Sequence, residues 1–167
     1  MKKLFTFIPA LAIALSLYVT AFAAANDTSI TPGSENKTGS TSVTYTVQPA
    51  YTVTIPATVT LGNSVTVSAE DVKVNKGSYV AVKLTGTSEM NNTFKVKTDE
   101  GAELVYTVKN GEENVNIGDT VLAVNPYDAD NGNATLSFSA PASVTYAGTY
   151  KGTVTFTVSV DTVPMPK

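Results

Sequence analysis

Large apolar and small polar residues alternate along most of this 167-residue chain after Ser42. The clearest run is the last one, residues 149–160, in which Tyr150, Val154 and Phe156 fall on one face and threonines fall on the other. A period of two residues is the spacing of a β-strand with one buried face, because successive side chains point to opposite sides of the strand. No segment shows an apolar stripe at helical spacing over a useful length, so the sequence predicts an all-β fold.

Turn-forming residues separate the alternating runs. Asn75-Lys76-Gly77, Asn110-Gly111 and Asn131-Gly132 are the clearest, and Asn-Gly is the preferred pair for a tight hairpin. Many short strands joined in this way predict a sandwich or a barrel, and we expect an immunoglobulin-like β-sandwich of two antiparallel sheets. The predicted strands are 43–47, 51–55, 59–61, 64–68, 72–74, 79–85, 93–97, 103–109, 115–117, 120–124, 134–138 and 149–160.

The N-terminus has the three parts of a secretory signal peptide. Lys2 and Lys3 precede an apolar stretch over residues 4–22, and Ala21-Phe22-Ala23 forms a small-x-small cleavage site. An uncleaved anchor is the alternative, because the apolar stretch approaches the roughly 18 to 20 residues that span a bilayer. Polar chain follows the cleavage site at once, so we expect a signal peptide over 1–23 and no membrane span after its removal.

The remaining chain divides by composition. Residues 24–42 offer almost nothing to bury and are predicted to be a flexible spacer, because burial would not offset the entropy lost on ordering. Residues 43–163 carry the alternating pattern and form the predicted β-sandwich domain, and residues 164–167 are left as a tail.

The missing residue types restrict the chemistry. With no histidine and no cysteine, the usual general base, the thiol nucleophile and the common zinc and iron sites are absent. All 11 basic residues are lysines and the net charge is −3, which argues against a nucleic-acid partner, since arginine is the preferred ligand of phosphate and guanine.

Acidic pairs are the remaining candidates for catalysis. A glycosidase needs two carboxylates that face each other across a cleft, and the chain offers Glu70-Asp71, Asp99-Glu100 and Glu112-Glu113. All three pairs lie beside predicted turns, where solvated charge is the ordinary explanation. The sequence therefore predicts a protein that is not an enzyme and needs no cofactor.

The polar loop at residues 127–133 is the candidate binding site, with Tyr127, Asp128, Asp130 and Asn131 as its residues. Tyr127 is an aromatic outside the alternating runs and is a candidate platform for a sugar ring. Asp128 and Asp130 suggest calcium, but the glycine comes one position early for an EF-hand loop and the glutamate at its end is missing. An Asx-rich hairpin turn is the alternative without a ligand.

Tyr150 has two interpretations, and two strand lysines have a predicted surface role. The Tyr150 hydroxyl either bonds to backbone, as in a tyrosine corner, or belongs to a core aromatic with a polar tip. Lys83 and Lys95 lie opposite the apolar faces of their strands, and we expect them to be edge or surface charges that discourage aggregation.

Two segments resemble known surface proteins. Ala147-Gly148-Thr149-Tyr150-Lys151-Gly152-Thr153-Val154-Thr155-Phe156 resembles the closing strand of exported immunoglobulin-like β-sandwich surface proteins of Gram-positive bacteria, and is similar to the ends of WxL-type and pilin-like domains. The segment 51–61, YTVTIPATVTL, resembles the opening of such domains. The chain has no tryptophan, so the WxL motif itself is absent. The resemblance implies a sandwich fold and a Gram-positive surface.

Signal, spacer and sandwich together predict a secreted or extracellular protein, associated non-covalently with a Gram-positive cell surface. We expect a role in adhesion, extracellular matrix or envelope structure, with an extracellular glycan or protein, or copies of the chain itself, as partners. One alternative is a carbohydrate-binding module that uses Tyr127. Another is a self-assembling fibre subunit in which residues 24–42 add as a strand to the next molecule, although the low apolar content of that segment argues against it.

Overall fold

A computed structural model describes residues 29–35, 37–87, 93–129 and 131–162. The predicted signal peptide (1–23), the tail (164–167) and Asp130 lie outside these residues. The described chain divides into two compact units, residues 29–48 and residues 49–162. The first unit contains no strand or helix among its described residues, and its one turn is closed by the Ser34 amide, which donates to the Thr31 carbonyl at 3.0 Å.

Residues 49–162 form strands and connecting loops. All ten strands of the described chain lie in this unit. They are β1 (Ala50–Thr54), β2 (Ser64–Lys73), β3 (Ser78–Thr87), β4 (Lys95–Lys97), β5 (Glu103–Val105), β6 (Val108–Asn110), β7 (Glu113–Asn114), β8 (Thr120–Val124), β9 (Gly132–Phe138) and β10 (Val154–Thr162).

The strands make three antiparallel sheets in the described chain. Sheet A has the order β1-β2-β9-β6-β7, sheet B has the order β10-β3-β8, and sheet C is the pair β4-β5. This confirms the all-β prediction and its antiparallel sheets. Nowhere in the described ranges is there a helix, and so none with the length and apolarity that crossing a membrane requires.

Sheets A and B contribute to one apolar core. Val67 and Leu136 come from sheet A, and Val80, Val82 and Leu84 come from sheet B; all five side chains are fully buried. On β2 and β9, Val67 and Leu136 alternate with more exposed or polar neighbours, as a period of two requires, whereas Tyr79 and Ala81 beside Val80 and Val82 on β3 are buried as well. Burying such a side chain contributes roughly 1.5 to 3 kcal/mol, which makes this core the main source of stability.

Several predicted strands have different bounds in the structure. The runs 43–47, 59–61 and 115–117 are not strands, and the last strand begins at Val154, five residues late. The run 103–109 is divided between β5 in sheet C and β6 in sheet A, because the chain changes sheet at Tyr106 and Thr107. In contrast, 64–68 and 72–74 merge into the single strand β2, which contains the left-handed residue Asp71 (φ 53°).

Of the two Asn-Gly turns, one is a hairpin and the other is a crossing between sheets. Asn110 pairs with Glu113, and Gly111 has a φ of 62° at the first position of the two-residue turn. Asn131-Gly132 instead connects β8 in sheet B to β9 in sheet A, so the hairpin prediction there is wrong. Gly132 is required for packing, since a Cβ at this position would lie 2.5 Å from Val124 Cγ2.

Candidate functional site

The candidate binding loop follows β8 and is built on Asn125. The Asn125 side-chain oxygen accepts a hydrogen bond from the Tyr127 backbone amide at 3.0 Å, and the Asn125 backbone carbonyl accepts one from the Asp128 backbone amide at 3.0 Å. The Asn125 side-chain amide also donates to the Asp128 carboxylate at 3.3 Å. This is an Asx turn, in which a short polar side chain replaces a backbone partner. It leaves the Tyr127 side chain 90% exposed.

The other predicted members of this site have different surroundings. The Asn131 side-chain oxygen accepts a hydrogen bond from the Asp71 amide at 2.9 Å, which ties the start of β9 to the bulged part of β2. Asp128 is held by Asn125, and Asp130 lies outside the described residues. The structure thus places Tyr127 and Asp128 on one turn and Asn131 beside Asp71.

The calcium interpretation needs several oxygen ligands at one point. Over residues 29–35, 37–87, 93–129 and 131–162, no three His, Cys, Asp or Glu side chains gather closely enough to hold a metal ion.

Several carboxylates in the described chain form ion pairs. Lys83 Nζ lies 2.6 Å from Asp161 Oδ2 across the β3–β10 pair, and this hydrogen bond raises the pKa of the lysine and lowers the pKa of the aspartate. In sheet C, Glu103 lies 2.9 Å from Lys95 and 3.0 Å from Lys97, and the hydrogen bond from Lys95 is the largest cause of its lowered pKa. Both predicted surface lysines are therefore engaged in ion pairs.

The acidic pairs of the sequence are all exposed. Asp99-Glu100 occupies a turn. Glu112 lies in the hairpin turn before β7, and Glu113 is the first residue of β7. Glu70-Asp71 differs from its prediction, because it lies inside β2 rather than beside a turn. Exposure is the ordinary state of surface charge and not the enclosed cleft that a catalytic dyad occupies.

A groove lies between the loop after β1 and the segment that leads into β10, and residues of sheets A, B and C line it. It has a volume of about 580 Å³, and one side is formed by the loop after β1, residues 55–61, while the other is formed by residues 150–156, which lead into β10. Val65 and Val67 of β2 line its inner wall. Pockets of roughly 300 to 1,000 Å³ are typical of binding sites, so this groove is a second candidate site.

The inner end of the groove is aromatic. Tyr106 and Phe138 line it, with ring centroids 6.0 Å apart, and Phe94 lies behind Tyr106 at 5.6 Å. Burial raises the pKa of the Tyr106 phenol, which keeps it neutral. Among the described residues that line the groove, Lys151 carries the one charge, and its side chain is mostly exposed. The groove is thus suited to apolar groups.

The end strands β10 of sheet B and β1 of sheet A are incompletely covered. On β10, Val154, Phe156 and Val158 are only half-buried, although they point toward the core. On β1, Tyr51 and Val53 are half-buried in the same way. Both strands end their sheets in the described chain, so each has one edge without a strand partner.

Tyr150 lines the groove and also anchors the chain that enters β10. Its hydroxyl donates a hydrogen bond to the Tyr146 carbonyl at 2.7 Å. Of the two interpretations of this residue, the hydroxyl-to-backbone bond is therefore present, four residues upstream as in a tyrosine corner. Its ring packs against the core at the same time.

The Tyr127 loop could be identified from the sequence, whereas the groove could not. Val154 and Phe156 were predicted to face the core, but the alternation does not tell whether a second strand covers them. The loop 55–61 was predicted to contain a strand, which concealed its role as a wall of the groove. The signal that was available is Pro56, which prevents a central strand there.

Comparison with known proteins gave no match to a family model and no significant match to a curated protein or to a solved structure.

Proposed function

We propose that this chain is an exported, non-catalytic β-sandwich protein that acts in adhesion, extracellular matrix or envelope structure at a Gram-positive cell surface. It works by holding an apolar protein segment in the groove between the loop 55–61 and β10. The predicted signal peptide and the resemblance of residues 147–156 to surface domains support the location. The groove is the observation that carries the function, because its lining is apolar and its wall includes a strand with a free edge.

An immunoglobulin-like sandwich is the fold we propose for residues 49–162. Two antiparallel sheets that share a core support it, as does the Tyr150 hydrogen bond. The strand order is a variant, since β9 and β10 lie in different sheets, whereas the last two strands of an immunoglobulin domain share one.

Fractionation of the source cells tests the location. We expect the chain in the medium or the envelope fraction, with Ala24 as its first residue by N-terminal sequencing. Recovery of an unprocessed chain in the cytoplasm would overturn the proposal.

Substitution on the two faces of β10 tests the role of the groove. Phe156→Lys places a charge on the groove face, where the flexible lysine stem lets the chain fold, and Thr155→Lys adds the same residue to the exposed face. We expect Phe156→Lys to release envelope-bound protein into the medium and Thr155→Lys to behave as the parent. Equal retention of both variants would show that the groove is not used.

A carbohydrate-binding module is the second candidate function, and the exposure of Tyr127 favours it. An aromatic ring that is 90% exposed at a loop tip, beside the Asp128 carboxylate, has the arrangement of a sugar platform. Glycan-array binding that is lost in Tyr127→Ala would support this function. An array that is silent for the parent protein would contradict it.

A further inference from the structure

We propose that residues 42–48 of one copy add as a strand to the free edge of β10 in a second copy and insert Val43, Tyr45 and Val47 into its groove. The inference rests on the proposed function and names the apolar segment that the groove holds. It differs from the fibre hypothesis above in its donor, because residues 24–42 are too polar to fill an apolar groove.

The donor segment has the pattern of a buried strand but is exposed. Val43 is 90% exposed, Tyr45 89% and Val47 59%, while the intervening Thr44 and Thr46 are polar. Three large apolar side chains on one face of a five-residue run are what a strand with a buried face requires. In the described chain, residues 42–48 form no strand.

The acceptor has the complementary pattern. Val154, Phe156 and Val158 are half-buried at the same spacing of two residues, and the first two line the groove from β10. At about 3.3 Å per residue, the seven-residue donor extends roughly 23 Å and the nine residues of β10 roughly 30 Å, so the donor fits within the edge. Addition of a strand to an exposed edge supplies backbone hydrogen bonds, and the groove supplies side-chain specificity.

β10 is a better acceptor than β1, although both strands have free edges. β1 has five residues and its pairing with β2 is irregular between Ala50 and Thr52. Short strands and bulges protect an edge from further pairing. The free edge of β10 is nearly twice as long, and the one irregularity in its pairing lies at Thr155 and Phe156.

The charge of the donor suits the groove, and turn chemistry disfavours its return onto β1 of the same copy. Residues 42–48 carry no charge, and Lys151 is the one charged residue among the described residues that line the groove. A donor that turned straight back onto the neighbouring β1 would place Gln48 and Pro49 at the centre of a tight hairpin. That turn requires positive φ, which neither residue favours.

Each copy has one donor and one groove, so donation is a head-to-tail contact. Such a contact produces a ring if the rotation closes and an open polymer if it does not. An extracellular matrix or envelope protein that assembles in this way needs no disulfide, which agrees with a chain that has no cysteine.

A mixing experiment tests the inference with the chain from residue 24 to residue 167. The donor-deficient variant is Val43→Ser/Tyr45→Ser/Val47→Ser, the groove-deficient variant is Phe156→Lys, and the matched control is Thr44→Ser/Thr46→Ser. We expect sedimentation to show that the parent and the control grow with concentration, that each deficient variant stays monomeric, and that the two deficient variants mixed together form a one-to-one dimer. Circular dichroism confirms that each variant is folded.

A synthetic peptide of residues 40–48 keeps the test independent of the groove variant. It should bind the donor-deficient variant, and the same peptide with serine at positions 43, 45 and 47 should not. Growth of the donor-deficient variant like the parent, a parent that is monomeric at every concentration, or a mixture without dimer would overturn strand donation. A monomer that still fractionates with the envelope would leave the proposed function intact, whereas a cytoplasmic chain would remove the proposed function itself.

Discussion

Phe156 and Leu84 are cross-strand partners in sheet B, yet Leu84 is fully buried and Phe156 is only half-buried. Directly paired residues of antiparallel strands point to the same face. The difference in burial therefore arises because no strand pairs with the outer edge of β10 in the described chain. Sheet A shows the same decrease toward its edge, where Ala69 is fully buried and its partner Val53 is half-buried. Both sheets thus lose coverage at their end strands, β10 and β1.

The difference in burial between Leu84 and Phe156 should appear as a difference in the stability that each side chain contributes. Leu84→Ala should lower the free energy of unfolding by about 2 to 5 kcal/mol, because it leaves a cavity in a closed core. Phe156→Ala should cost less, since water already reaches part of the ring. Urea unfolding in the donor-deficient background, where the groove is empty, measures both. A larger loss for Phe156→Ala would contradict an incompletely covered edge.

Gly132→Ala should destabilise the chain by about 1 to 3 kcal/mol, because the new Cβ would lie 2.5 Å from Val124 Cγ2 and force one strand to shift. Gly86→Ala is the matched control, since its Cβ would meet Thr155 at an ordinary 3.6 Å. Thermal unfolding of both variants measures the effect. Recovery of stability in Gly132→Ala/Val124→Ala would identify the contact, and equal stability of the two single variants would show that it is not tight.

Tyr150→Phe should lower the free energy of unfolding by about 0.5 to 1.5 kcal/mol, because it removes the hydrogen bond to the Tyr146 carbonyl and keeps the ring. Tyr127→Phe, at an exposed position, should change stability by less than about 0.5 kcal/mol. Chemical unfolding compares the two substitutions. If Tyr150→Phe were as neutral as the control, the hydroxyl would have no structural role.

The pH dependence of stability should reflect the ion pairs of Asp161 and Glu103. Both carboxyl groups have a lowered pKa in the folded chain, so each stabilises it above its unfolded pKa of about 4 and loses that contribution as the pH falls through the folded value. The raised pKa of Lys83 gives the opposite pH dependence: its contribution to stability is present at lower pH and is lost as the pH rises above about 10.4.

Unfolding of the parent and of Asp161→Asn from pH 2 to pH 7 checks the sign. We expect the parent to be the more stable at pH 7 and the difference to vanish at the acidic end. The difference should shrink as salt is added, since the pair is near the surface. A difference that grows toward low pH would contradict the assignment.

The local part of this fold could be predicted from the sequence. The period of two identified β3, β8 and β9 close to their true bounds, and Asn110-Gly111 marked a real hairpin, because both signals depend on neighbouring residues. Sheet membership depends on distant partners, which is why Asn131-Gly132 was taken for a hairpin although it connects two sheets.

The two candidate sites differ in the same way, because one depends on neighbouring residues and the other on distant ones. The Tyr127 loop was found because its polar residues adjoin one another in the sequence, and the structure supports its Asx turn. The groove joins residues 55–61 to Val154 and Phe156, about a hundred positions apart, and its existence depends on which strand is absent beside β10. The alternation at Val43, Tyr45 and Val47 was visible, but the exposure of these residues was not.

Nuclear magnetic resonance of the donor-deficient variant, titrated with the peptide of residues 40–48, tests strand donation at the level of individual residues. The account predicts that amide shifts concentrate in β10 and in residues 55–61, and that amides on the free edge of β10 become protected from exchange. Unchanged spectra, or shifts confined to the Tyr127 loop and the far strand β7, would contradict it.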